Sequence, residues 1–352
     1  MIAATSVSSQ FRFDSNGEHW QQQLAEAITD PAELCAILQL DPALILPALE
    51  SARGFALRVP RSFVARMRRG DPHDPLLLQV LPLAAEREAV AGYVVDPVGD
   101  LDSRVGAGLL HKYEGRALLI ATGACAVHCR YCFRRHFPYA EHSALHQGWQ
   151  SAIETLRADP STSEAILSGG DPLSLSDRRL RQFTDALADI PHIRRLRLHT
   201  RYPIVLPARV DASLLNWIAS LPIKTVVVIH ANHAQEIDAG VQRACHDLAG
   251  SGATLLNQSV LLAGVNDSVG ALSELSEALF AAGVLPYYLH VLDKVQGAAH
   301  FDVSEARALE LHAQLRQRLP GYLVPRLVRE VAGAPGKIPV GGRESGYNPP
   351  PS

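Results

Sequence analysis

The sequence is poor in cysteine, with five in 352 residues, and three of those fall within eight positions. A disulfide framework needs more cysteines, spread along the chain and paired, so a reduced compartment and a metal or cluster site fit better. No apolar run is long enough to cross a bilayer. The start, Met1 to Phe13, lacks the basic segment and apolar stretch of a signal peptide, so a cytoplasmic location is expected. The formal net charge is only −3, which gives no general attraction to nucleic acid or to an anionic membrane. No internal repeat is evident, which argues against a solenoid. What is present, 47% hydrophobic and 20% charged residues, suits a soluble globular enzyme with a substantial core.

Residues from about Trp20 to Met67 read as short helices. Asp30-Pro31 and Asp41-Pro42 each carry a helix-start signal, with proline at the first helical position. Residues Arg69 to Asp102 are rich in Pro, Asp and Gly and read as a connection. From Ala117 onward, β-rich runs are expected at Ala117–Ala121, Glu164–Leu167, Leu196–His199, Thr225–His230, Thr254–Val260 and Leu285–Val291. Helical patterns lie between most of them, at Trp149–Arg157, Arg178–Leu187, Ala234–Leu248 and Ala271–Ala282. Except for a longer first gap, strand starts recur at about 30 residues, the length of a β-α unit. The expected fold class is α/β, a partial (β/α)6 barrel of parallel strands. Polar and glycine residues cluster just after these runs, where such barrels do their chemistry.

The cysteine group reads Cys125-Ala-Val-His-Cys129-Arg-Tyr-Cys132. Thiolates suit zinc or iron–sulfur clusters. Three of them leave one coordination position open, whereas a structural zinc site is normally closed. His128 or His136 could close it, so a non-enzymatic zinc-binding protein is the alternative from a different class. Ser168-Gly169-Gly170-Asp171 follows the second run. Alone it is simply a good turn. Cys35 and Cys245 read as buried, bland residues, and His142, His146 and His300 are given no role.

C-x3-C-x2-C after a first barrel strand resembles the radical S-adenosylmethionine superfamily. That resemblance implies a [4Fe–4S] cluster on Cys125, Cys129 and Cys132, with S-adenosyl-L-methionine on the open iron. It also implies a reducing electron donor, and contacts to the methionine moiety around Ser168, Gly169, Gly170 and Asp171. A closer resemblance runs from Tyr113 to about Pro339. It rests on Lys112-Tyr-Glu-Gly-Arg116, Cys132-Phe-Arg134-Arg135, Asn257-Gln-Ser-Val-Leu-Leu-Ala-Gly-Val-Asn266-Asp267, Leu292-Asp293 and Gly336-Lys337. These are similar to the lysine 2,3-aminomutase family, which adds pyridoxal 5′-phosphate to the other two cofactors.

The resemblance implies that Lys337 condenses with the pyridoxal aldehyde, as a desolvated lysine can. It places Arg116, Gln258 and Lys112 near the phosphate, Lys112 standing where relatives carry arginine. Arg134 is implied to pair with the carboxylate of an L-lysine substrate, and Asp293 and Glu330 with its distant ammonium. His230, with His199, Arg201 and Asn232, is a candidate for the adenosylmethionine site. The segment Arg329-Glu330-Val-Ala-Gly-Ala-Pro-Gly-Lys337-Ile-Pro339 departs from the catabolic enzymes, and only Ile338 to Ser352 follow Lys337, without a cysteine. Both features resemble the subgroup that makes (R)-β-lysine for a synthetase-like ligase, which attaches it to elongation factor P. A catabolic lysine or other amino-acid aminomutase is the nearer alternative, and a homo-oligomer stays open. On this reading, residues 1–100 are a helical segment and linker, 101–320 the radical barrel, and 321–352 the segment that carries the pyridoxal lysine.

Overall fold

The computed structural model describes residues 20–106, 108–139 and 149–341. The opening segment Met1–Phe13, His142, His146 and the last eleven residues of the tail lie outside them. Among the described residues, no helix is long and apolar enough to cross a membrane.

Short helices open the chain: α1 (Trp20–Ala25), α2 (Pro31–Leu38), α3 (Ile45–Ala52), α4 (Arg61–Val64) and α5 (Pro75–Leu78). Asp30 accepts from the Ala32 amide ahead of α2. Asp41 does the same for Ala43, ahead of a 3-10 turn at Pro42–Leu44 that leads into α3. Asp74 caps Leu76 and Leu77 of α5. In all three, proline supplies the first helical φ and aspartate satisfies amides that the helix leaves open. The third of these starts carries the same sequence signal as the first two, inside the stretch that reads as a connection.

Six parallel strands follow, as the periodicity predicts: β3 (Arg116–Thr122), β4 (Glu164–Gly169), β5 (Arg195–Thr200), β6 (Lys224–Ile229), β7 (Thr254–Val260) and β8 (Leu285–His290). Helices α6 (Gln150–Ala158), α7 (Asp177–Ala188), α8 (Ala212–Ser220), α9 (Ala239–Gly250), α10 (Val269–Ala281) and α11 (Glu305–Arg318) alternate with them. Leu180, Phe183, Thr184 and Leu187 form the buried stripe of α7 at helical spacing. Trp217 of α8 packs there and donates its indole N–H to Thr184 Oγ1 at 3.1 Å. The expected single helix Ala234–Leu248 is instead a 3-10 turn, Ala234–Glu236, followed by α9. Asp238 caps Val241 and starts the helix afresh, while Glu236 turns inward to accept the Asn232 amide.

The sheet extends beyond the six strands. An antiparallel pair, β1 (Arg104–Gly106) and β2 (Leu109–Tyr113), precedes β3. A seventh parallel strand, β9 (Arg326–Arg329), follows β8, and β10 (Ile338–Pro339) pairs antiparallel with β9. The strand order follows the chain from β1 to β10. The sheet curls until its two ends meet through side chains. Tyr113 of β2 donates its hydroxyl to Glu330, next to β9, at 2.6 Å, although six strands separate β2 from β9. The result is a partial barrel, open along one seam. The C-terminal ends of its strands surround a cavity of about 370 Å³.

Candidate active site

The loop after β3 brings Cys125, Cys129 and Cys132 to the wall of this cavity. Burial, and the neighbouring Cys129 charge, push the Cys132 thiol up to about 11. Three thiolates here therefore need a positive centre to hold them deprotonated. His128 and His136, which could have closed a zinc site, bond the backbone carbonyls of Ala56 and Gln296 at 2.9 and 3.2 Å. Among the described residues, no group of three or more His, Cys, Asp or Glu is gathered to hold a single metal ion. A cubane cluster takes each cysteine on a different iron, so its ligands need not crowd into the shell of about 2.3 Å around one zinc ion. Arg201 Nη1 donates to Cys129 Sγ at 2.8 Å, a contact suited to a thiolate rather than a thiol. This donor set fits an iron–sulfur cluster.

Each guanidinium of the basic run after Cys129 is paired with a carboxylate. Arg130 and Arg135 both bond Glu86, at 2.6 and 2.7 Å, and Arg134 Nε donates to Asp100 at 2.6 Å. Arg134 Nη1 also reaches Ser168 Oγ at 3.1 Å. None of the three guanidiniums is left to solvent, because the stretch from Arg69 to Asp102 folds against the loop and supplies both carboxylates. Glu86 and Asp100 carry no sequence signal. Their segment has no periodicity, and their partners lie more than thirty residues away.

The glycine pair sits directly on the cluster loop. Gly169 has φ +110°, and a Cβ on Gly170 would meet the Ala124 carbonyl at 2.4 Å. The Gly170 amide donates to Thr122 O and that of Asp171 to Ala124 O. Asp171 accepts from Thr200 Oγ1 and the Arg201 amide, both at 2.7 Å, and burial pushes its carboxyl up to about 6. Its side chain thus ties β4 to β5. Gly170→Ala is expected to displace the loop at a cost of about 1–3 kcal/mol, the usual range for overpacking. A thermal melt and iron analysis of the variant should show a lower midpoint and reduced iron; full iron occupancy would rule out the close approach.

A chain of alternating charges crosses the same cavity. Arg134 pairs with Asp100, Asp100 with Lys112 at 2.6 Å, Lys112 with Glu330 at 3.7 Å, and Glu330 with Lys337 at 2.5 Å. Burial opposes the charge on Glu330, but Lys337, Tyr113 and Lys112 together hold its carboxyl below the usual range. Asp293 responds oppositely. Burial, with repulsion from Glu330, pushes it up to about 7. Lys112 also donates to Val98 O at 2.8 Å, so in this arrangement its ammonium serves two carboxylates and a carbonyl.

Arg116, Gln258 and His230 line the cavity beside these groups. Gln258 pairs with His230, whose imidazole burial drives down to about 3, so it stays neutral. Arg116 Nε, His199 Nε2 and His290 Nε2 are buried without a hydrogen-bond partner among the described residues, although all three side chains line the cavity. Native proteins rarely leave such atoms unmatched, which suits a polar, anionic guest such as a phosphorylated pyridoxal. Arg201 lines the cavity too, and it shares a buried hydrogen-bond network with Asn232 under the cysteine loop.

A partial parallel barrel with three cysteines on the loop after its first parallel strand, and a glycine turn pressed against that loop, defines a radical S-adenosylmethionine enzyme. No protein-family model matches the chain. It is 51% identical over 324 residues to the L-lysine 2,3-aminomutase of Escherichia coli strain K12, covering 92% of this chain and 94% of that one. Identity is 43% over 320 residues to the L-lysine 2,3-aminomutase of Haemophilus influenzae, covering 91% and 95%. It is 34% over 330 residues to that of Clostridium subterminale, covering 93% and 79%. The chain belongs to the L-lysine 2,3-aminomutase family. A solved radical SAM methyltransferase from Sphaerobacter thermophilus overlaps 63% of this chain and 68% of its own, with a TM-score of 0.41 and 18% identity, a likeness too loose to add to the fold above.

Proposed function

We propose that the chain is an isomerase that converts L-lysine to (R)-β-lysine with a [4Fe–4S] cluster, S-adenosyl-L-methionine and pyridoxal 5′-phosphate, and that the product serves the modification of elongation factor P. The observation that carries this reading is the pair of carboxylates, Asp293 and Glu330, facing one cavity with Lys337, Arg134 and the three cysteines. Two carboxylates suit a second ammonium on the substrate, and a guanidinium suits its carboxylate.

Cys125, Cys129 and Cys132 would hold the cluster, and Gly169 and Gly170 let adenosylmethionine approach the backbone. Lys337 would hold pyridoxal phosphate, with Arg116 and Gln258 toward its polar groups. When bound, these cofactors supply a carbon radical that removes a hydrogen atom and a conjugated ring that spreads the unpaired electron while nitrogen moves from carbon 2 to carbon 3. The protein's own part is position and charge. Glu330 keeps its ionised carboxylate on Lys337 Nζ, and Asp293 can take or release a proton near neutral pH. The neutral imidazoles of His199, His230 and His290 offer hydrogen bonds without adding positive charge. Arg134, fixed by Asp100 and Ser168, turns its remaining donors to the substrate.

The elongation factor P role is supported by the segment between Arg329 and Pro339, which departs from the pattern of the catabolic enzymes. Anaerobically reconstituted enzyme, given L-lysine, adenosylmethionine, pyridoxal phosphate and dithionite, is expected to be brown and to release (R)-β-lysine on chiral analysis. Turnover of glutamate but not lysine would overturn the substrate assignment. Deleting the gene should lower the mass of elongation factor P by one β-lysyl group; an unchanged mass would remove that role.

A further inference from the structure

Beneath the cysteine loop lies a polar network with almost no access to solvent. Arg201, just past β5, sends Nη1 to Cys129 Sγ at 2.8 Å. Its other arm, Nη2, donates to Gln79 Oε1 at 2.6 Å and Glu236 Oε2 at 3.1 Å. Gln79 in turn donates to Glu236 Oε1 at 3.1 Å and accepts from Asn232 Nδ2 at 3.0 Å. Asn232 also donates to the hydroxyl of Tyr131, inside the loop, at 2.7 Å. Gln79 and Glu236 are fully buried, Asn232 is 1% exposed and Arg201 6%. These residues come from the end of α5, the 3-10 turn after β6, and the end of β5.

Burying a guanidinium is costly unless its partners are in place. Here a carboxylate and an amide fix one arm, and the other is aimed at a sulfur. Plain loop anchoring needs no charge, since backbone bonds such as Arg130 N to Gln79 O already hold the loop. An added electron on an iron–sulfur cluster increases negative charge on its sulfurs. A cationic donor on one thiolate therefore stabilises the reduced form and raises the potential.

We propose that Arg201 is a positioning residue that sets the reduction potential of the cluster through its hydrogen bond to Cys129 Sγ, with Gln79 and Glu236 aiming the guanidinium. The inference rests on the cluster assignment above, and extends it to which groups govern how readily one electron enters. Arg201 makes the cluster easier to reduce. Glu236, holding the opposite arm, tempers that effect.

The test is a potentiometric titration of anaerobically reconstituted protein, without adenosylmethionine or lysine, followed by the electron paramagnetic resonance signal of the reduced cluster. Arg201→Gln is expected to keep its iron and sulfide content. At a fixed poise its ratio of reduced to oxidised cluster should fall about tenfold, which is 59 mV for a one-electron couple. Arg201→Lys keeps the charge without the fork and should fall between. Glu236→Gln removes the neighbouring negative charge and should shift the ratio the other way. Opposite signs from two neighbours are not what loosened packing produces, and Glu236→Gln also serves if Arg201→Gln fails to fold. Iron-replete variants that titrate with the wild type would overturn the proposal. A wild-type protein that takes up no cluster would instead overturn the reading beneath it.

Discussion

Replacing Lys337 with alanine should end turnover while leaving the cluster intact. Lys337 is the lysine of the cavity that donates to Glu330, and it lies 5.7 Å from the centre of the Tyr288 ring. A second lysine, Lys112, lines the same cavity, but it is committed to Asp100, Glu330 and Val98 O. Among the described residues, no other amine lines the cavity to take over. The expected loss is roughly a thousandfold or more, about 4 kcal/mol of transition-state stabilisation. Iron content and the brown colour should stay at wild-type levels, because Cys125, Cys129 and Cys132 belong to a different loop. Borohydride treatment of the loaded wild type should fix pyridoxal phosphate to the peptide that contains Lys337, and the variant should take no label there. A label on Lys112 instead would reassign the cofactor. A second consequence concerns the unloaded protein. Without Lys337, Glu330 keeps only Tyr113 and Lys112, so its carboxyl should titrate closer to its ordinary value.

Asp293→Asn should produce the other large effect, on recognition of lysine rather than on the radical source. Removing one partner from a buried charge pair costs about 3–5 kcal/mol. The Michaelis constant for lysine should therefore rise about a hundredfold or more, with a smaller change in maximal rate. The pH dependence gives a sharper test. Asp293 titrates at about 7, well above an ordinary aspartate, because it is buried and faces Glu330. As pH falls through 7 it gains a proton, and the affinity for lysine should fall with it. In Asp293→Asn that limb should vanish. Stability follows the same group with its own sign. The raised folded value means that the contribution of Asp293 is fully present below about 4 and is lost as pH rises toward 7. Thermal midpoints across that range should decline more steeply for the wild type than for Asp293→Asn. Parallel slopes would show that Asp293 does not titrate there.

The parallel part of the fold is legible because its signals are local. Each strand from β3 to β8 is a short apolar run, followed by glycine or polar residues and most often a helical pattern, and the observed bounds lie within two residues of the expected ones. The added strands are harder to find. β1, β2, β9 and β10 are short and only partly buried, and β10 is two residues ending in proline. Their existence depends on neighbours already in the sheet. The site divides in the same way. The cysteine triplet can be read along the chain, whereas Lys337 stands out only through the family resemblance. Asp100, Glu86, Gln79 and Glu236 cannot be read from it. Each acquires its partner only when segments up to about 160 residues apart come together; Gln79, Glu86 and Asp100 sit in a stretch without periodicity, and Glu236 in what reads as the first turn of a helix.

The pairing of β9 with β10 is brief, yet much of the chemistry depends on it. Ile338 stands across from Arg329, and Pro339 across from Val328. Continuing that alignment one step toward the loop sets Lys337 opposite Glu330. The two charges meet because of where the ladder starts. Slipping it by a single position would invert which side of the ribbon each residue faces. Glycine or isoleucine would then confront Glu330, and the amine would point away from the cavity. The segment Val331–Gly336 thus behaves as a spacer, turned by Gly333 at φ +75°, whose length sets the alignment of the four paired residues behind it.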